Sequence, residues 1–165
     1  MVLYEEVLRE FQRQKVRYLL VGGLAVNFLG FPRATADMDI LVDMSDANLG
    51  KIVTILKKLG YRVKQPVDPM LIADKKIREG WIKNKHLKAL NFYKYDELKE
   101  VDIILQSPVS YAEAKKNAVK IKDGDITLSV ISIKDLIRMK KKAGRDLDKL
   151  DISVLERIKK MRNGR

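Results

Sequence analysis

The sequence predicts an α/β fold, α+β in detail: a mixed, twisted sheet of about five strands flanked by helices and closed by a C-terminal helical pair. Three observations carry this expectation. Short apolar runs bounded by glycine or proline alternate with longer stretches of helical spacing. One apolar run, Asp37-Met38-Asp39-Ile40-Leu41-Val42, carries aspartates at alternate positions, the period of a half-buried strand. Beyond a hairpin at Asp123-Gly124, two amphipathic stretches meet at Gly144. A chain of 165 residues is expected to form one domain, residues 1–165. Its core would span about 1–131 and the helical pair about 132–161.

Taken in order, Leu3, Val7, Leu8 and Phe11 space as one face of a helix over 3–14. Tyr18-Leu19-Leu20-Val21 is too short for a helix and is stopped by Gly22-Gly23, so it reads as a buried strand. Residues 24–29 form a short helix ended by Gly30, and Pro32 bars its continuation. The aspartate strand covers 37–42. Ser45 then opens a helix on Ile52, Val53, Leu56 and Leu59, with Gly60 as its stop. Residues 61–64 suit a short strand. Pro66 and Pro69 break the chain, 70–78 is helical, Gly80 ends that helix, and Trp81 and His86 are assigned packing roles. Strands over 87–95 and 101–105 pair through Asp96-Glu97, and a helix over 109–117 follows Ser107-Pro108. The hairpin pairs 119–122 with 125–131. Ser132 caps a helix over 133–143, and the last helix, about 146–161, presents Leu147, Leu150, Val154, Leu155 and Ile158.

Carboxylates at i and i+2 of a strand lie about 6 Å apart and repel by roughly 3 kcal/mol at an effective dielectric near 20. One exposed lysine returns only about 0.2–1 kcal/mol. A divalent cation offsets the repulsion, and an all-oxygen ligand set suits Mg²⁺ or Mn²⁺. Gly22-Gly23 opens a helix whose bare N–H groups attract phosphate. Together these features point to metal-assisted nucleotide chemistry. Asp102 precedes Ile103-Ile104-Leu105, where an unpartnered charge is costly.

Gly22-Gly23, thirteen residues, then Asp37-Met38-Asp39-Ile40 resembles the signature of the polymerase-beta-type nucleotidyltransferase superfamily. Arg33-x-Thr35-x-Asp37-x-Asp39 resembles its small prokaryotic branch, which includes AbiEii-type toxins and minimal nucleotidyltransferases. Met139-Lys140 followed by Arg145-x-x-Asp148-x-x-Asp151-Ile152 is similar to the tail of the same branch. The resemblance implies a nucleotidyltransferase fold and transfer of NMP from an NTP to a hydroxyl of RNA (tRNA included), protein or a small molecule, in some relatives within a toxin–antitoxin setting. It implies that Asp37, Asp39 and Asp102 are catalytic and bind two Mg²⁺ or Mn²⁺ ions. Gly22, Gly23, Arg33, Thr35, Lys140 and Arg145 would contact the nucleotide. Glu100 shares a strand face with Asp102 and is the alternative third carboxylate; the apolar strand around Asp102 favours the latter. Lys140 and Arg145 suit a triphosphate, with Asp148 orienting Arg145 three residues away. A solvated face laced with ion pairs is the competing reading, and the better one for Lys141 and Lys142.

Other classes fit less well. A Rossmann binder lacks its third glycine here, and Leu24-Ala25 stands where a P-loop needs Lys-Ser/Thr. A non-catalytic module of the same fold, binding RNA or a partner protein, is the serious rival. No apolar run reaches membrane-spanning length, the N-terminus does not read as a signal peptide, and there is no cysteine, which together lead to a cytoplasmic expectation. The lone His86 excludes a histidine-built zinc site. Thirty-four Lys and Arg against 22 Asp and Glu give a net charge of +12, which suits a polyanionic partner or a heat-adapted ionic surface.

Overall fold

The computed structural model describes residues 3–164. Its strands are β1 (Tyr18–Val21), β2 (Asp37–Val42), β3 (Arg62–Val63), β4 (Ala89–Lys94), β5 (Lys99–Ile104), β6 (Val119–Asp123) and β7 (Ile126–Val130). The helices are α1 (Glu5–Arg13), α2 (Gly22–Phe28), α3 (Asp46–Lys58), α4 (Lys75–Asn84), α5 (Tyr111–Ala114), α6 (Ile133–Ala143) and α7 (Asp146–Asn163). All seven strands join one sheet in the order β3-β4-β5-β2-β1-β7-β6. The β2–β5 and β1–β7 pairs are parallel and the other pairs antiparallel, so the sheet is mixed. It is wider than the expected five strands, because all seven strands read from the sequence join it, with the two-residue β3 and the 119–130 hairpin at its two edges.

Alternation in β2, β4 and β5 divides polar from apolar side chains. Met38, Ile40, Leu90, Phe92, Val101 and Ile103 point to one face and are completely buried. Each contributes roughly 1.5–3 kcal/mol of burial free energy. The opposite face carries Asp37, Asp39, Glu100, Asp102 and Asn91, none of them fully buried. Helix α2 lies against β1 and β2, while α6 packs along α7 and touches α2. No helix among the described residues is long and apolar enough to cross a membrane.

Several local expectations need correction. Leu3 is exposed and Tyr4 takes its place in the core, because α1 begins only at Glu5 and Leu3 falls outside its helical spacing. Gly80 lies inside α4 and does not end it; the helix continues to Asn84 and buries Trp81. His86 is not packed but exposed, at a left-handed φ of 52°. The hairpin turns at Gly124-Asp125, one residue later than expected, with Gly124 supplying the positive φ of 61°. Leu147 and Leu150 of α7 are exposed, while Asp148, Asp151 and Leu155 face inward. The inward face of α7 is mixed: Leu155 and Ile158 pack as the apolar period expects, while Asp148 and Asp151 take the inward positions near its start.

Candidate active site

The parallel ladder between β2 and β5 sets the geometry. It places Asp37 opposite Glu100 and Asp39 opposite Asp102. Carboxylate oxygens of Asp37, Glu100 and Asp102 lie within 4.8 Å of one another. Asp39 stands beside Asp102 on the same face. Four acidic side chains therefore share one face of two neighbouring central strands. Burial pushes the Asp39 carboxyl up to about 7, reinforced by the charge and hydrogen bond of Asp102 and by Asp37, with Lys140 acting against the rise. Burial also raises Asp37, with Glu100 and Asp102 adding to it and Lys64 opposing. Such crowding is what a divalent cation relieves, and an all-carboxylate donor set fits Mg²⁺ or Mn²⁺.

The two candidates for a third carboxylate have different partners. Glu100 is ion-paired to Lys64 on β3's trailing end. Asp102 instead accepts a hydrogen bond of 2.7 Å from Asn91 Nδ2. The Tyr4 hydroxyl donates to Ala36 O and accepts from Glu100 N at 3.0 Å, closing the β2–β5 pair at its acidic end. Burial drives this phenol up to about 12, so it stays a neutral donor.

The glycine pair sits directly against these groups. Gly22 has φ +65°, and a Cβ there would lie 2.1 Å from Asp39 Oδ2. A Cβ on Gly23 would meet Thr35 Oγ1 at 2.6 Å and Arg33 Nη2 at 2.9 Å. Helix α2 starts on these glycines with no side-chain cap on its first turn. Asn27, the polar residue of α2, accepts from Arg33 N at 2.9 Å and so fixes the loop leading into β2. Gly22, Gly23, Arg33 and Thr35 thus converge beside Asp39.

Lys140 and Arg145 occupy different settings. Lys140 is buried, its Nζ donating to Asp151 Oδ2 at 2.8 Å and to Asp148 Oδ1 at 3.4 Å. Asp151 is fully buried and also faces Arg33, with Nη2 at 3.0 Å from Oδ2 and Nε at 3.0 Å from Oδ1. Arg145 donates from Nε to Asp148 Oδ2 at 2.8 Å, yet its side chain is 74% exposed. The hydrogen bond with Asp148 raises its basicity, and Asp39 is among the more distant charges that do the same. Three cations and two anions form one cluster behind the aspartate strand, neither the solvated face nor the free phosphate hand expected for Lys140. Sequence reasoning missed Tyr4, Lys64, Gln65 and Asn91, whose parts depend on strand register, and it gave Asp151 no role.

No protein-family model matches this chain, and no curated protein matches it in sequence. Solved structures do match its fold. The lincosamide antibiotic adenylyltransferase LnuA, with lincomycin bound, aligns at TM-score 0.64 with 19% identity, over 94% of this chain and 96% of that one. ANT(2")-Ia in complex with adenylyl-2"-tobramycin aligns at TM-score 0.61 with 14% identity, over 98% of this chain and 94% of that one. A solution structure of ANT(2")-Ia aligns at TM-score 0.55 with 15% identity, over 98% and 91%. The chain has the nucleotidyltransferase fold.

Three outcomes are expected from this geometry. Gly22→Ala should destabilise the fold by about 1–3 kcal/mol through positive φ and contact with Asp39, and should weaken the thermal shift given by Mn²⁺; denaturation with and without the ion measures both. Asp151→Asn should cost about 3–5 kcal/mol in urea unfolding because Lys140 and Arg33 lose a buried anion, and adding Lys140→Met should recover part of that loss. In EDTA, the raised Asp39 lets the folded state bind a proton that the unfolded state releases above its ordinary value of 3.8. Its contribution to stability therefore falls as pH rises from about 4 to about 7. Melting curves of wild type and Asp39→Asn should diverge across that window, and a parallel pair of curves overturns this account.

Proposed function

We propose that the protein transfers a nucleoside monophosphate from an NTP to a hydroxyl acceptor, as a relative of the small AbiEii-like and minimal nucleotidyltransferases. The carrying observation is the in-register set of Asp37, Asp39, Glu100 and Asp102 beside the uncapped glycine start of α2. In this reading Asp37, Asp39 and Asp102 hold two Mg²⁺ or Mn²⁺ ions. When bound, such ions neutralise triphosphate oxygens and acidify an attacking hydroxyl.

The protein's own groups do the rest. Gly22 and Gly23 offer backbone N–H groups to phosphate oxygens, with no Cβ in the way. Thr35 and Arg33 flank that seat, and Arg145, the exposed cation of the cluster, reaches toward the polyphosphate. Lys140, held by two aspartates, acts through its field and by setting Arg33. Asp102 takes the proton as the acceptor oxygen bonds to the α-phosphorus and pyrophosphate leaves. Glu100, neutralised by Lys64, is the weaker candidate for that part.

Residues 1–165 act here as one unit, since Lys140 and Arg145 of the C-terminal pair join Arg33 of the core in the site. Of the structural neighbours named above, one holds lincomycin and another adenylyl-2"-tobramycin, which supports a small hydroxylated molecule as acceptor alongside RNA, tRNA or a protein hydroxyl. The activity is assigned to the cytoplasm, which supplies NTP and magnesium. A toxin or antitoxin role would follow from the identity of the acceptor.

The test incubates wild type, Asp102→Asn and Glu100→Gln with each α-labelled NTP, Mg²⁺ and a total lysate, following label and pyrophosphate beside NTP titrations. Asp102→Asn should keep NTP binding and lose turnover by roughly 10²–10⁴-fold, with a smaller loss in Glu100→Gln. Undiminished turnover in Asp102→Asn overturns the assignment. Wild type without pyrophosphate release on any acceptor pool leaves a non-catalytic binding module.

A further inference from the structure

We infer that Gln65 and Asn91 are positioning residues for Asp102, forming an amide relay from the backbone of β4 that fixes which oxygen of Asp102 faces the site. The inference rests on Asp102 being a metal-holding carboxylate.

The relay has a direction at each link. Gln65 follows β3 and precedes Pro66, which biases it to the extended region and carries the edge strand one step further. Lys64 N donates to Asn91 O at 2.8 Å, so the chain is already docked on β4 there. Two backbone groups of β4 then grip the Gln65 amide. Asn91 N donates to Gln65 Oε1 at 3.0 Å, and Gln65 Nε2 donates to Ala89 O at 3.3 Å. A backbone N–H demands the oxygen and a backbone C=O demands the nitrogen, so the amide has one orientation. Its Nε2 also donates to Asn91 Oδ1. That contact consumes the acceptor of the Asn91 amide and turns Nδ2 toward Asp102 Oδ1 at 2.7 Å.

The consequence for Asp102 is specific. One oxygen is held by a neutral donor that brings no competing charge, and the relay would leave the other for a cation shared with Asp37 and Asp39. Glu100, two residues earlier on the same strand face, has the contrary arrangement, with a lysine on its oxygen. Neighbouring residues of one edge segment, Lys64 and Gln65, thus treat the two candidate carboxylates differently: one is neutralised, the other aimed. Outer-shell hydrogen bonds of this kind typically matter 10–100-fold in metal affinity or activity.

The discriminating variant is Gln65→Glu, which keeps the shape of the side chain but replaces its donor with an acceptor. The Asn91 amide would then turn Nδ2 to Glu and Oδ1 to Asp102, spoiling the aim. Mn²⁺ binding, read from the electron paramagnetic resonance of free Mn²⁺, should weaken by about 10–100-fold in Gln65→Glu and in Asn91→Ala. Simple attraction by an added carboxylate predicts tighter binding, so the sign separates the two. Gln65→Met, which removes both donor and acceptor, should weaken binding by an intermediate factor and serves if Gln65→Glu does not fold, as judged by melting in EDTA. In the Asn91→Ala background, Gln65→Glu should give no further loss. Equal or tighter Mn²⁺ binding in folded Gln65→Glu, or in folded Gln65→Met if the former fails, overturns the relay. Wild type that binds no Mn²⁺, or binds it equally after Asp102→Asn, overturns the underlying assignment of Asp102, a result distinct from failure of the relay alone.

Discussion

The parallel pairing of β2 with β5 leaves the acidic side chains of Asp37, Asp39, Glu100 and Asp102 no route away from one another. Ladder hydrogen bonds lock the register, and a slip of one residue would drive the same groups into the apolar core. Much of the surrounding structure answers this crowding. Tyr4 ties the two strands together at the Asp37–Glu100 end, Lys64 forms an ion pair with Glu100, and Lys140 opposes the uptake of a proton by Asp39. Each response is partial. What remains is a patch of uncompensated negative charge on an otherwise basic protein.

The C-terminal helices belong to the same electrostatic system. Helix α7 contributes Asp148 and Asp151 to the interior and draws Lys140 from α6 and Arg33 from the loop before β2 onto them. Arg162 adds a hydrogen bond of 2.9 Å to Leu29 O at the end of α2. The helix that carries the glycine start and the strand that carries the aspartates are thus tied, through short loops, to one pair of buried anions. Positioning in this region depends on charges more than on apolar fit.

Much of this organisation was legible in the sequence, and what was not has a physical reason. The strand period put Asp37 and Asp39 on one face, and glycine at 22 marked the turn that Asp39 presses against. Asp102 and Glu100 were recognised as competitors because both share a face; only the partners of each, which come from β3 and β4, distinguish them. Those partners lie 11 residues from Asp102 and 36 from Glu100 in the chain, and nothing in the local pattern marks Asn91 or Gln65. The final helix misled for a different reason. Leu147 and Leu150 match a helical period, but buried aspartates satisfied by Lys140 and Arg33 outcompeted them for the inward position. Periodicity reports hydrophobicity, and it is silent where an interface is ionic.

The ionic seam between α6, α7 and the body of the fold has a thermal consequence. Hydration of charged groups becomes less favourable as temperature rises, so the penalty for burying Lys140, Asp148 and Asp151 shrinks on heating, while apolar burial levels off. The C-terminal pair should therefore hold on relatively better in the heat than an apolar seam of equal size. The net charge of +12 lies on the surface of the chain, and this seam places part of its ionic pairing in the interior.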